Sequence, residues 1–176
     1  MFKHLPNSLT LLRLMLAFVF PFAPEQYRLI IVLVALATEY LDGALSRWFS
    51  LHTPLGALLD PIADKCFVFA VAVVMFVETD ISWWQFLLFG ARDIAVFCGA
   101  SFIAWEKNWL AFFNVVPRIL GKVATVFQFL VFLSFVGLTM IPQWLLILAI
   151  LFSVLSAVDY SYFFIKNNFY RAMKNV

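Results

Sequence analysis

This sequence predicts an all-α membrane protein, a bundle of six transmembrane helices with both termini on the cytoplasmic side. Three observations lead there. The 176 residues are 65% hydrophobic and only 12% charged, far more apolar than a soluble domain. The apolar residues fall into runs of about 20, the length that crosses a hydrocarbon core, and six such runs need about 120 residues. The chain, residues 1–176, accommodates them as one domain. Finally, Lys and Arg are unevenly placed. With six spans, the amino end, the 2–3 and 4–5 connections, the tail and the adjoining helix ends share one side. They carry Lys3, Arg13, Arg47, Lys107, Arg118, Lys122, Lys166, Arg171 and Lys174. The opposite connections carry Arg28 with Glu25, Glu78 and Asp80, so the first side is cytoplasmic by the positive-inside rule.

Each element has its own signals. Segment 1 is expected over about Ser8–Phe22, with Asn7 or Ser8 as its cap and Pro21 and Pro24 ending it. Segment 2 runs over about Tyr27–Phe49 and segment 3 over about Pro54–Val77. The short connection Ser50–Thr53 makes them antiparallel neighbours. Pro61 is expected to free a carbonyl and kink segment 3. Segment 4 spans about Trp83–Trp105, and the aromatics of the following connection, Trp109, Phe112 and Phe113, suit a membrane interface. Segment 5 covers about Arg118–Met140 and segment 6 about Gln143–Ile165, before a basic, aromatic tail expected to lie on the surface. Cys66 and Cys98 read as small buried hydrophobes. No basic cluster interleaved with aromatics points to nucleic acid.

One stretch carries chemistry. It reads Glu39-Tyr-Leu-Asp42-Gly43-Ala-Leu-Ser46-Arg47, eight residues, then Gly56-Ala-Leu-Leu-Asp60-Pro-Ile-Ala-Asp64. Glu39 and Asp42 are three apart and Asp60 and Asp64 four apart, so each pair shares a helix face. Ionisable groups at membrane depth are costly and mark function. Four acids together repel one another unless a cation lies between them. An all-oxygen set suits Mg2+ or Mn2+. The plainer reading pairs the acids with Arg47 and Lys65 as salt bridges, but four acids outnumber two bases.

The pattern resembles the signature of the CDP-alcohol phosphatidyltransferase family, Asp-x-x-Asp-Gly-x-x-Ala-Arg followed by Gly-x-x-x-Asp-x-x-x-Asp. Asp42, Gly43, Arg47, Gly56, Asp60 and Asp64 match in identity and spacing. Glu39 stands where the family has its first Asp, and Ser46 where it has Ala. The run Pro6-Asn7-Ser8-Leu9-Thr10-Leu11-Leu12-Arg13 resembles an amino-terminal run of bacterial members. The resemblance implies transfer of a phosphatidyl group from CDP-diacylglycerol to an alcohol, with release of CMP, at a site in the bacterial inner membrane facing the cytoplasm. It implies that Glu39, Asp42, Asp60 and Asp64 hold the metal. It implies that Glu39, Asp42, Gly43, Ser46, Arg47, Gly56 and Asp60 hold the CDP moiety, and that Asp64 is the general base. A homodimer among membrane lipids is also implied by the resemblance alone.

The acceptor is open at this point. Gly121-Lys122-Val-Ala-Thr125-Val-Phe-Gln128 resembles phosphatidylglycerophosphate synthase-like members, whose acceptor is glycerol 3-phosphate. Arg92, Arg118 and Lys122 are cations available to its phosphate. Arg92 is equally well placed to pair with Asp93. Arg92-Asp93 also resembles the CMP-forming cardiolipin synthases, which use phosphatidylglycerol. From other classes, intramembrane acids also line ion paths in transporters, and Glu39 in place of Asp suits a non-catalytic relative. Transporters usually carry internal repeats, and none is found here.

Overall fold

The computed structural model describes the backbone of residues 5–49, 54–105 and 119–174, and the side chains of 10–38, 62–99, 101 and 119–164. The described residues form helices without strands: α1 (Leu5–Val19), α2 (Glu25–Phe49), α3 (Pro54–Glu78), α4 (Trp83–Phe89), α5 (Ala91–Trp105), α6 (Ile119–Leu138) and α7 (Gln143–Lys174). They belong to two compact units. One comprises residues 1–80 with 132–140, the other 81–131 with 141–176.

In the first unit several polar side chains are buried among apolar ones, while many large apolar side chains are exposed. Thr10, Arg13, Ala17 and Phe20 are buried, at spacings of three, four and three that make one helical face. Their neighbours Leu11, Met15, Phe18 and Val19 are exposed. Arg28, Val32, Ala35 and Thr38 form the buried face of α2 in the same way. A soluble protein would not leave so many large apolar side chains exposed beside buried Arg13 and Arg28. In lipid the outward face needs no polar group, while polar groups must find partners inside the protein. α1 begins three residues earlier than expected, with Pro6 in its first turn, where a missing N–H costs no helical bond. It ends in a 3-10 turn, Phe20–Phe22, built on Pro21.

α1 packs mainly on α3 and also on α2. Ala17, Ala35, Ala63 and Ala72 are buried, and their small size permits close helix approach. Phe20 meets Phe67 edge-on with centroids 6.1 Å apart, and the Arg28 guanidinium lies 5.9 Å from the Phe20 ring centre. α3 is helical through Pro61. Two expectations are corrected here: Cys66, and Cys98 in the second unit, are exposed and not buried. An apolar outward face accepts a thiol as readily as a core does.

In the second unit, the helix expected over Trp83–Trp105 is two helices, separated at Gly90 with φ −85° and ψ 0°. Ser153 of α7 accounts for the break. Its Oγ accepts the Arg92 backbone N–H at 3.2 Å and donates to the Phe89 carbonyl at 2.8 Å. A side chain inserted into the backbone ladder interrupts a helix in this manner. α4 starts with a capping box, Ser82 and Gln85, signalled by Ser-x-x-Gln in the sequence but not anticipated. α7 also departs from expectation. It is one helix of 32 residues that carries the tail in line.

Among the described residues, Ile119–Leu138 and Gln143–Phe164 are long and apolar enough to cross a membrane, and Thr10–Phe22 is a shorter apolar helical stretch. Phe127 and Phe152 stack at 4.9 Å between α6 and α7. These helices also approach at Gly121, where a Cβ would lie 2.8 Å from the Tyr160 hydroxyl and 3.1 Å from its ring. Gly121→Ala therefore lowers the melting temperature of the detergent-solubilised protein. Adding Tyr160→Phe restores part of the loss by removing the nearer atom, as a double-mutant melting series will measure.

Candidate active site

The four acids lie on two helices of the first unit. Glu39 and Asp42 fall in the last half of α2, Asp60 and Asp64 in the first half of α3. The far ends of these helices are joined by Arg28 and Glu78. Arg28 Nη1 donates to Glu78 Oε2, Nη2 to Oε1 at 2.8 Å, and Nε to the Ala23 carbonyl at 3.0 Å. This fork joins the start of α2 to the end of α3. Asp42 and Asp64 are each 14 residues from that ion pair (42 − 28 and 78 − 64). At 1.5 Å per residue both stand about 21 Å along their helices from it.

Asp64 is the member of the four whose side chain is described, and it is half-buried. Arg13 of α1 donates Nη1 to Asp64 Oδ1, which makes an ion pair across 51 positions of sequence. The partner foreseen by the salt-bridge reading was Lys65 or Arg47. The partner seen here is Arg13 of α1, which falls on the same buried face as Thr10 and Ala17. The side chains of Glu39, Asp42, Gly43, Ser46, Arg47, Gly56 and Asp60 lie outside the described residues, as does Arg118 entirely. Among the described residues no three acids, histidines or cysteines group as a metal site.

A second polar cluster belongs to the other unit. Gln128 Nε2 donates to Asp93 Oδ2 at 2.9 Å, and Arg92 Nη1 lies 3.9 Å from Asp93 Oδ1. Phe89, Ala124, Ala149 and Ser153 enclose this group. Of the two roles weighed for Arg92, the contact seen is the local one with Asp93. The Gly121–Gln128 run now has a physical account. Gly121 admits Tyr160, Thr125 Oγ1 bonds back to the Gly121 carbonyl at 2.9 Å, and Gln128 reaches Asp93. Lys122 is exposed. Gln128, Ser153 and Arg13 were missed as partners from sequence. The available signal was a polar residue recurring on the one face of an otherwise apolar helix.

The profile of the CDP-alcohol phosphatidyltransferases matches residues 3–155. The chain belongs to the CDP-alcohol phosphatidyltransferase family. Curated relatives agree. The chain is 33% identical over 137 residues to a protein of Aquifex aeolicus, covering 74% of each chain. It is 38% identical over 136 residues to one of Yersinia pestis, covering 71% of this chain and 72% of the relative. It is 37% identical over 142 residues to one of Sodalis glossinidius, covering 72% and 73%. Each of these relatives is named CDP-diacylglycerol–glycerol-3-phosphate 3-phosphatidyltransferase.

The Arg28 fork holds the far ends of α2 and α3, and its loss has a measurable cost. Arg28→Met leaves the Ala23 carbonyl and the Glu78 carboxylate without their donors. It destabilises the protein by about 1–3 kcal/mol, read as a lower melting temperature in detergent, while Glu78→Gln costs less because it keeps an acceptor.

Proposed function

We propose that this protein is a phosphatidylglycerophosphate synthase, which transfers the phosphatidyl group of CDP-diacylglycerol to glycerol 3-phosphate and releases CMP. The observation that carries this reading is the family match over residues 3–155, which includes the whole Glu39–Asp64 stretch. The names of the curated relatives support the acceptor. We read residues 1–176 as one domain with six membrane spans, cytoplasmic termini, an inner-membrane location and a homodimeric assembly. The two long apolar helices and the outward apolar faces support the membrane part of that reading.

The donor set is all carboxylate oxygen and fits a hard divalent ion, Mg2+ or Mn2+, held by Glu39, Asp42, Asp60 and Asp64. When bound there, such an ion would supply positive charge against the pyrophosphate of the donor. The protein's own residues do the rest. Glu39, Asp42, Gly43, Ser46, Arg47, Gly56 and Asp60 hold the CDP moiety, the two glycines admitting it close to the backbone. Asp64 takes the proton of the acceptor hydroxyl as its oxygen bonds to the phosphatidyl phosphorus, and the bond from that phosphorus to CMP breaks. Arg92, Arg118 and Lys122 are the cations proposed for the acceptor's phosphate.

The test is CMP release by purified protein with CDP-diacylglycerol and Mg2+ or Mn2+. Release is expected with glycerol 3-phosphate and not with phosphatidylglycerol, and a chelator abolishes it. Release with phosphatidylglycerol alone would make the protein a cardiolipin synthase. Asp64→Asn lowers kcat by roughly 10²–10⁴-fold, whereas Glu39→Asp retains or raises activity. An Asp64→Asn protein with unchanged CMP release would sink the base assignment.

A further inference from the structure

The protein holds two deeply buried arginines in its first unit, and their bonding differs. Arg28 uses Nε, Nη1 and Nη2, on the Ala23 carbonyl and both oxygens of Glu78. It is a fully satisfied structural arginine. Arg13 is more deeply buried, at 3% exposure against 8% for Arg28. Yet among the described residues it bonds through Nη1 to Asp64, and its Nε and Nη2 are buried with no hydrogen-bond partner. A buried guanidinium edge without acceptors is costly to keep. The Nε–Nη2 edge is the planar two-donor fork that matches two oxygens of a phosphate.

The surroundings favour an anion that arrives with the reaction. Arg13 is bound to the residue proposed as the base, one helical turn along α3 from Asp60. A site so rich in carboxylate gains from a cation that meets a phosphoryl group directly. The edge is closed to solvent, so an entering ligand has to part the side chains covering it.

We propose that Arg13 binds a phosphoryl oxyanion of a substrate through its Nε–Nη2 edge while Nη1 holds Asp64. One residue thus ties the base to the group that must lie beside it. This assignment rests on the function proposed above. The phosphoryl group belongs either to the nucleotide-lipid donor or to the phosphorylated acceptor, and both present the same chemistry to a guanidinium.

The test uses the full-length protein in detergent and the variant Arg13→Lys, which keeps a cation for Asp64 and lacks the fork. Melting is followed with no addition, with glycerol 3-phosphate alone and with CDP-diacylglycerol alone, and KM and kcat are measured for both. The expected result is a ligand-free melting temperature near that of the wild type. One of the two ligand-induced shifts is lost, and KM for that same compound rises about tenfold or more with kcat less affected. Loss confined to glycerol 3-phosphate assigns the acceptor's phosphate, and loss confined to CDP-diacylglycerol assigns the donor. If Arg13→Lys does not fold, Arg13→Gln is read the same way. Wild-type ligand shifts and KM values in the variant, or a fall in kcat alone, would overturn the proposal. So would a wild-type protein whose melting responds to neither compound. Wild-type protein that binds both but releases no CMP would count against the proposed reaction and leave Arg13's role intact.

Discussion

Charge enclosed by apolar helices has to be met by charge from another helix, and in the amino-terminal unit this requirement determines which helices lie together. Arg28 and Glu78 tie the start of α2 to the end of α3, and Arg13 and Asp64 tie α1 to the middle of α3. Removing one partner of such a pair leaves an uncompensated charge where water is scarce, so neither pair tolerates a slip by one residue. Asp64, one of the four acids, is held by the second of these pairs.

The second unit shows the same rule with neutral groups. Ser153 interrupts a helix by replacing one of its backbone partners, and Gln128 reaches across to Asp93. Both residues lie on buried faces of otherwise apolar helices. Interhelical bonds of this kind are worth about 1 kcal/mol each in membranes. Their effect here is directional more than energetic: each selects one rotation of its helix.

Much of this was legible in the sequence, for reasons tied to particular residues. Helix positions followed from the proline punctuation and from the length of the apolar runs. The acid stretch was visible because carboxylates are conspicuous among Leu, Val and Phe. What stayed hidden were the pairings. Arg13 was counted as a cytoplasmic flanking charge and Arg28 as a charge of the opposite connection. The helical face shared by Thr10 and Arg13 signals an inward arginine, but not which acid some 50 positions away it meets. The break at Gly90 was equally hidden, because its cause lies on α7. The start of α1 was misjudged through giving Asn7 and Ser8 a capping role when Pro6 was already compatible with the first turn.

The continuity of α7 has a mechanical corollary. Its 32 residues measure about 48 Å end to end. Its upstream half is held by Ser153 at the α4–α5 break and by Phe152 against Phe127. Without an intervening joint, the angular phase fixed by those contacts is transmitted to Lys174 as along a shaft. Each residue inserted or deleted upstream of the tail turns everything beyond it by about 100°, while a change of seven residues nearly restores the original bearing.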